Sequence, residues 1–331
     1  MFIDNNWYGN RYILSKYCKV KDHPIFGSLQ HGLLLASHFD ITKSNNLKLG
    51  ERRFTQIPWL VWNDFMVENT KKNKIKNVIN IGSPIIYLHA MQKIRKFYKP
   101  KGTLVIPCRS VYEVNHIVDY DGLIKMIKKK FKPPYKILVG YFDLPQIFKI
   151  RHKYKECTFV SCGKRRNLKY TYKLYKYMRE CQSTVNFYPG TSILYSLFFK
   201  KKTYYINNRF LKKTTKALIE INSSNNKLFT NKSSMNLKNK NKLNVKIAEI
   251  MKDDQIAVKC FKNEYDIDLS KLNKKDNYKK ALLALGHNQK KSAKELKEIL
   301  GWNSIFKRIL ANCLLILINI KYMNVAKINK N

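Results

Sequence analysis

Acidic side chains are scarce in this 331-residue chain: 22 Asp and Glu stand against 65 Lys and Arg, a formal charge of +43. The shortage excludes a surface neutralised from within, because most cations have no carboxylate to meet. It points to a polyanionic partner such as nucleic acid, an anionic membrane face or a phosphorylated substrate. Drift toward Lys on a solvated surface is the plainer account, since the Lys residues are spread along the chain. Other absences narrow the field. The seven cysteines form no CxxC pair and no even framework, which argues for free thiols in a reducing compartment. No HxxxH or Cys/His metal spacing occurs, so no protein-held metal is expected. GxxxxGK[ST], GxGxxG and GxSxG are all missing, which removes Walker-type nucleotidases, dinucleotide dehydrogenases and hydrolases of the elbow type. The apolar run "ILANCLLILINI" (309–320) is too short and too Asn-interrupted for a membrane span.

What is present is core-forming material. Hydrophobic residues make up 44% of the chain and aromatics 13%, enough for two ordinary domains or one large α/β domain. From residue 75 onward, short apolar runs bounded by Gly, Pro or Asp recur at 75–82, 102–107, 135–143, 157–163, 183–190 and 202–206. Buried parallel strands read this way. Helical faces lie between them: Leu123, Ile124, Ile127 and Phe131 form one, and Leu168, Tyr172, Tyr175 and Met178 another. The pattern predicts a doubly wound α/β sheet. "KKFKPPYK" (129–136) breaks the periodicity and places a domain boundary at 130–131, giving units 1–130 and 131–300 and a tail 301–331. Residues 222–244 are low in complexity and read as a surface excursion. In "SAKELKEILGW", Ser292 and Glu295 predict a capping box, and Gly301 a helix stop.

Ligands of open α/β sheets bind beyond the carboxyl ends of the strands. Those ends carry Gly82, Ser83 and Tyr87, then Arg109 and Ser110, then Gly163, Lys164 and Arg165, then Gly190, Thr191 and Ser192. Small, hydroxylated and basic residues suit a phosphate-bearing ligand, although βα turns use Gly, Ser and Pro in any case. In "PGTS" (189–192), Thr or Ser would cap the helix while the first amides face an anion. Earlier, "FGSLQHG" presents Gln30, His31 and Gly32. A His there could serve as general base to a substrate hydroxyl, although a lone His is more often structural.

The order of motifs adds a further indication. "YGNRY", "FGSLQHG", "IPWLVWN", "NVINIGSPIIYL", "GTLVIPCRS", "YKILVGYFD", "FVSCGKR", "GTSILYSLFFKK" and "KSAKELKEILGW" follow one another from about Tyr8 to Trp302. This order resembles bacterial surface-polysaccharide and lipopolysaccharide glycosyltransferase-like proteins of the GT-B type. The resemblance implies two Rossmann-like domains with a helical C-terminal segment, an acceptor-side N-terminal domain and a donor-side C-terminal one. It implies sugar transfer from a nucleotide-sugar co-substrate to a lipopolysaccharide or capsule acceptor, without a metal or other cofactor. His31 would be the catalytic base. Gln30, Gly32, Gly82, Ser83, Tyr87, Arg109 and Ser110 would line the substrate side, and Gly163, Lys164, Arg165, Gly190, Thr191 and Ser192 the donor side. One departure stands out: "PCRS" has Arg109 where relatives are expected to carry His. Arg binds phosphate but cannot act as a base at neutral pH. If that His is catalytic in the family, this copy is altered or inactive.

Two alternatives stay open. "ALLALGHNQKKSAKELKEILGWNSIFKRIL" (281–310) could form a helix-turn-helix for nucleic acid, though the basic residues are not concentrated there. A non-catalytic member of a polysaccharide assembly is the other. "MFIDNNWYGN" has neither a basic n-region nor an apolar h-region, so a cytoplasmic location is expected. "FKRILANCLLILINIK" (306–321), flanked by cations, suggests a peripheral seat on the inner face of the plasma membrane.

Overall fold

The computed structural model describes residues 7–21, 23–30, 32, 58–72, 77–92, 99–107, 114–207, 210–216, 255, 257–259, 261–304 and 307. The chain opens with helix α1 (Asn10–Tyr17) and continues through β1 (Ser28–Leu29), β2 (Trp59–Val61), α2 (Asp64–Lys72), β3 (Val78–Asn80) and α3 (Pro84–Met91). Next come β4 (Thr103–Ile106), β5 (Val114–Val118), α4 (Tyr120–Lys130), β6 (Tyr135–Val139), α5 (Leu144–Ile150), β7 (Cys157–Ser161) and α6 (Tyr170–Glu180). The last elements are β8 (Ser183–Asn186), α7 (Thr191–Phe198), β9 (Lys202–Tyr205), β10 (Leu211–Lys216), α8 (Asn277–Ala284) and α9 (Ala293–Ile299). The fold is α/β with parallel sheets. β1, β2 and β3 form one in that order; the second has five strands in the order β7-β6-β4-β8-β9. β5 stands apart and pairs antiparallel with β10.

All six strands expected from residue 75 onward are present. Strand alternation explains their two faces: Leu104 and Ile106 of β4 and Leu138 of β6 face one core, while Val105, Ile137, Val139 and Val185 face the other. α4 and α5 cover the second face through Leu123, Ile124, Ile127 and Ile147. The first face is covered by α6 and α7 through Leu174, Tyr175, Met178, Ile193 and Leu194. That core continues into α1, β2, α3, α8 and α9 through Ile13, Leu60, Trp62, Ile85, Ala281 and Leu296. Each large side chain so buried contributes about 1.5–3 kcal/mol, so the two sheets share one apolar interior rather than meeting at a polar seam.

Three expectations need correction. The boundary at 130–131 falls in the loop joining α4 to β6, and β4 and β6 are hydrogen-bonded neighbours. The change of sheet lies instead between Met91 and Thr103. Leu168 lies ahead of α6 and is exposed, while Tyr170 takes the buried place and meets the Tyr8 ring at 4.8 Å. Phe131 follows α4 as its C-cap and is half-buried. The Ser292 box forms as expected, with Ser292 Oγ accepting from Glu295 N at 3.2 Å and Ser292 N donating to Glu295 Oε2 at 2.9 Å. Among the described residues no helix is long and apolar enough to cross a membrane.

His89 on α3 joins the two sheets' helices. Its Nδ1 lies 3.2 Å from the Tyr175 hydroxyl of α6, and its ring meets Phe198 at 5.2 Å. Burial first, then the charges of Arg179, His287 and Lys290, hold its pKa below the ordinary 6.5. The unfolded chain therefore takes up this proton at higher pH than the folded one, and stability falls as pH drops below 6.5. His89→Gln should reduce the loss of melting temperature between neutral and mildly acidic pH. An unchanged pH slope would show that His89 is not the group responsible.

Candidate functional site

The strands of the first sheet end on one side, and the loops that leave them converge there. After β1, Gln30 is buried and bonded on all sides. Its N donates to Leu60 O (2.9 Å), its Oε1 accepts from Trp62 N (2.9 Å), its Nε2 donates to Gly32 O (2.9 Å), and its own carbonyl accepts from Trp62 Nε1 (3.0 Å). The side chain thus ties Gly32 to Trp62, the residue after β2. After β2, Asn63 caps α2, its Oδ1 accepting from Met66 N at 2.9 Å, while its Nδ2 donates to Ala284 O at 2.5 Å. Asp64 accepts from Asn80 Nδ2 (2.8 Å) and Gln289 Nε2 (3.2 Å) at the rim. After β3, Gly82 and the buried Ser83 lead into α3.

The end of α8 is pressed onto these loops. Ser83 N donates to Leu285 O at 2.8 Å. Gly286 adopts φ +69°, and a Cβ there would come within 1.6 Å of Trp62 O. A Cβ on Gly82, φ +75°, would come within 2.8 Å of Gly286 O. These two glycines are required by backbone-to-backbone approach as well as by their left-handed φ.

The second sheet contributes α7. Its order reverses between β4 and β8: one crossover leaves β4 toward β6, and the next returns from β7 to β8 on the other side. Ligands of open α/β sheets bind at such a switch point. Pro189–Ser192 follow β8 at this place. Gly190 is the N-cap of α7, in extended backbone and with no side-chain cap, so Thr191 and Ser192 belong to the first turn rather than capping it. Thr191 Oγ1 lies 3.5 Å from where a Cβ on Gly32 would stand. One turn along, Tyr195 is buried with its hydroxyl toward Ser83, and burial raises its pKa. Gln30, Gly32, Gly82, Ser83, Gly190, Thr191 and Ser192 therefore gather at one junction between the sheets.

Other expected residues lie elsewhere. Tyr87 is buried; its hydroxyl donates to Ile81 O and accepts from Lys291 N at 3.0 Å, so it braces α3 instead of facing a ligand. Gly163, Lys164 and Arg165 follow the edge strand β7, three strand spacings or about 14 Å from β8. There Lys164 Nζ lies over the Tyr141 ring and the Arg165 guanidinium over Trp7, both at 4.9 Å from the ring centre. His31, Arg109 and Ser110 lie outside the described residues, as does most of the anchor proposed at 306–321. The contribution of α8 was missed in the sequence; the Gly in "LALGHN" was its only sign. Among the described residues no three His, Cys, Asp or Glu side chains converge as metal ligands. Cys18, Cys157, Cys162 and Cys181 form no disulfide.

Compared with family models, curated proteins and solved structures, the chain matches none.

Gly286→Ala tests the junction. A left-handed φ and a sub-van der Waals approach to Trp62 O should together cost more than about 3 kcal/mol of unfolding free energy. Urea unfolding measures this, and a loss under about 1 kcal/mol would mean that α8 does not press on the first sheet as described.

Proposed function

We propose that the chain is a GT-B-type glycosyltransferase that moves a sugar from a nucleotide-sugar donor to a surface-glycan acceptor of the lipopolysaccharide or capsule class. The observation that carries this reading is the approach of Thr191, at the switch point of one sheet, to Gly32, in the "LQHG" loop of the other. A transferase of this type needs a donor held on one sheet and an acceptor held on the other, with the reacting atoms between them.

In this reading the sheets are two Rossmann-like units. The donor phosphate lies at the first turn of α7, where the helix dipole favours negative charge. Arg109, which follows β4 in the sequence, belongs to the substrate side in this reading, where its guanidinium could bind an anionic group but not act as a base. The acceptor hydroxyl oxygen attacks the anomeric carbon, the bond from that carbon to the phosphate oxygen breaks, and the nucleotide leaves with its phosphate (a diphosphate from UDP- or GDP-sugars, a monophosphate from CMP-sugars). His31, between Gln30 and Gly32, takes the hydroxyl proton. A nucleic-acid reading finds less support. α9 carries Lys294 and Lys297 against Glu295 and Glu298, a charge-balanced helix whose Leu296 is spent in the core.

Calorimetry with UDP-, GDP- and CMP-linked sugars should identify one bound donor. Gly190→Val should weaken that binding by tenfold or more while the fold survives, because the extended backbone accepts any residue and a Cβ meets only the Tyr188 ring at 3.1 Å. Unchanged donor affinity would detach the turn from the donor.

His31→Ala should leave donor binding near wild type and lower turnover by about a hundredfold or more. Normal turnover would remove His31 from the mechanism, and donor binding without turnover in the wild-type protein would favour a non-catalytic member.

A further inference from the structure

Helix α5 is closed on one side and unfinished on the other. Ile147 is buried in the core of its sheet face, with Leu144 and Ile150 packed beside it. The opposite stripe, Tyr141, Pro145, Phe148, Lys149, Arg151 and His152, is exposed. With the inner stripe already satisfied, a solvated helix has no use for large rings outside. Yet Phe148 is 57% exposed and Tyr141 38%. Each ring has a cation against it: the Arg151 guanidinium lies 4.9 Å from the centre of Phe148, and Lys164 Nζ 4.9 Å from that of Tyr141. From Leu144 to Lys155 the chain holds Lys149, Arg151, Lys153 and Lys155 and no acidic residue. The carboxylates around this stretch are engaged. Glu156 pairs with Lys128 at 2.6 Å, Asp121 accepts from the Tyr154 hydroxyl, and Asp143 is buried, accepting from Gly140 N at 3.1 Å.

We propose that the outer face of α5 and the turn after it form a docking surface for the anionic headgroups of a lipid bilayer. Charge complementarity selects the partner. An uncompensated row of Lys and Arg attracts a negative lipid surface, and amphipathic or aromatic side chains beside it seat at the boundary between headgroups and acyl chains. Single-stranded nucleic acid fits the same charge less well, since it needs a groove with open ring faces for base stacking. Here the face is a convex helix, and cations already cover a side of both rings. The inference rests on this face alone and does not depend on glycosyl transfer.

Sedimentation of the full chain with phosphatidylcholine vesicles, with and without phosphatidylglycerol, tests it. Binding should require phosphatidylglycerol and weaken as salt rises. Each Lys or Arg at such a surface contributes about fivefold in partitioning, so Lys149→Glu, Arg151→Glu and Lys153→Glu together should lower it by roughly a hundredfold or more. The matching reversal of Lys271, Lys274 and Lys275, exposed beyond the opposite edge of the sheet, should change it only a few-fold. Equal melting temperatures of the variants show that the fold is intact. Phe148→Trp should shift its fluorescence to the blue on phosphatidylglycerol vesicles. Equal losses in the two triple variants, equal binding to neutral vesicles, or capture of a labelled single-stranded oligonucleotide in place of vesicles would overturn the proposal.

Discussion

The close approach of the α8 terminus to the first sheet is the constraint on which the junction depends. Trp62 and Gly82 leave no room for a Cβ at Gly286, and the carbonyls just before it accept from Asn63 and Ser83. The helix end is therefore held by backbone contact and by one buried side-chain amide, that of Asn63. α8 also packs against α7. The position of α7, and with it the gap between Thr191 and Gly32, follows from that seating. A residue late in the chain thus sets the distance between loops that leave two different sheets.

The two faces of the five-stranded sheet are used differently. α4 and α5 close one face with a core of their own, whereas the core under α6 and α7 runs on into α1, α3, α8 and α9. That sharing keeps the switch point next to the first sheet. The sheet's outer edge at β9 is blunted by a side chain: Asn273 donates to Thr203 O at 3.1 Å and accepts from Thr203 N at 2.8 Å. An amide that mimics one residue of a neighbouring strand satisfies the edge without extending the sheet.

The second sheet was legible because buried parallel strands are continuous apolar runs, and "GTLVIP" or "YKILVG" cannot be much else. Of the first sheet only β3, inside the apolar run 75–82, was legible; β1 and β2, strands of two and three residues, fall below the length at which periodicity carries information. Residue types at strand ends singled out Gly82, Ser83 and Thr191, and the short "QHG" stretch singled out Gly32, because positive φ, helix starts and close approach leave compositional traces. They gave no distances, so Lys164 and Arg165, equally suited to phosphate, were grouped with a turn three strands away. Tyr87 illustrates the same limit: a Tyr after a strand reads as a ligand contact until burial shows both its hydrogen-bonding capacities spent on backbone.

Composition and packing meet in the treatment of positive charge. With 22 carboxylates for 65 cations, ion pairing cannot be the general solution. Tyr, Phe and Trp rings take up part of the role: Lys16 lies over Tyr12, Arg165 over Trp7, Arg179 over Tyr175, Lys200 over Tyr278 and Lys290 over Tyr17. A ring face offers a weaker attraction than a carboxylate but adds apolar cover and no further charge. Where the ring is half-buried, as at Tyr12 and Tyr17, or buried, as at Tyr175, the pair anchors a helix and its cation is part of the fold. Where the ring stands exposed, as at Phe148 and Tyr141, the same pairing leaves both apolar surface and charge directed outward. The excess of +43 is therefore not one property of the surface. Part of it is absorbed in packing, part is balanced along helices such as α9, and from Leu144 to Lys155 exposed cations stand beside exposed rings with no carboxylate among them.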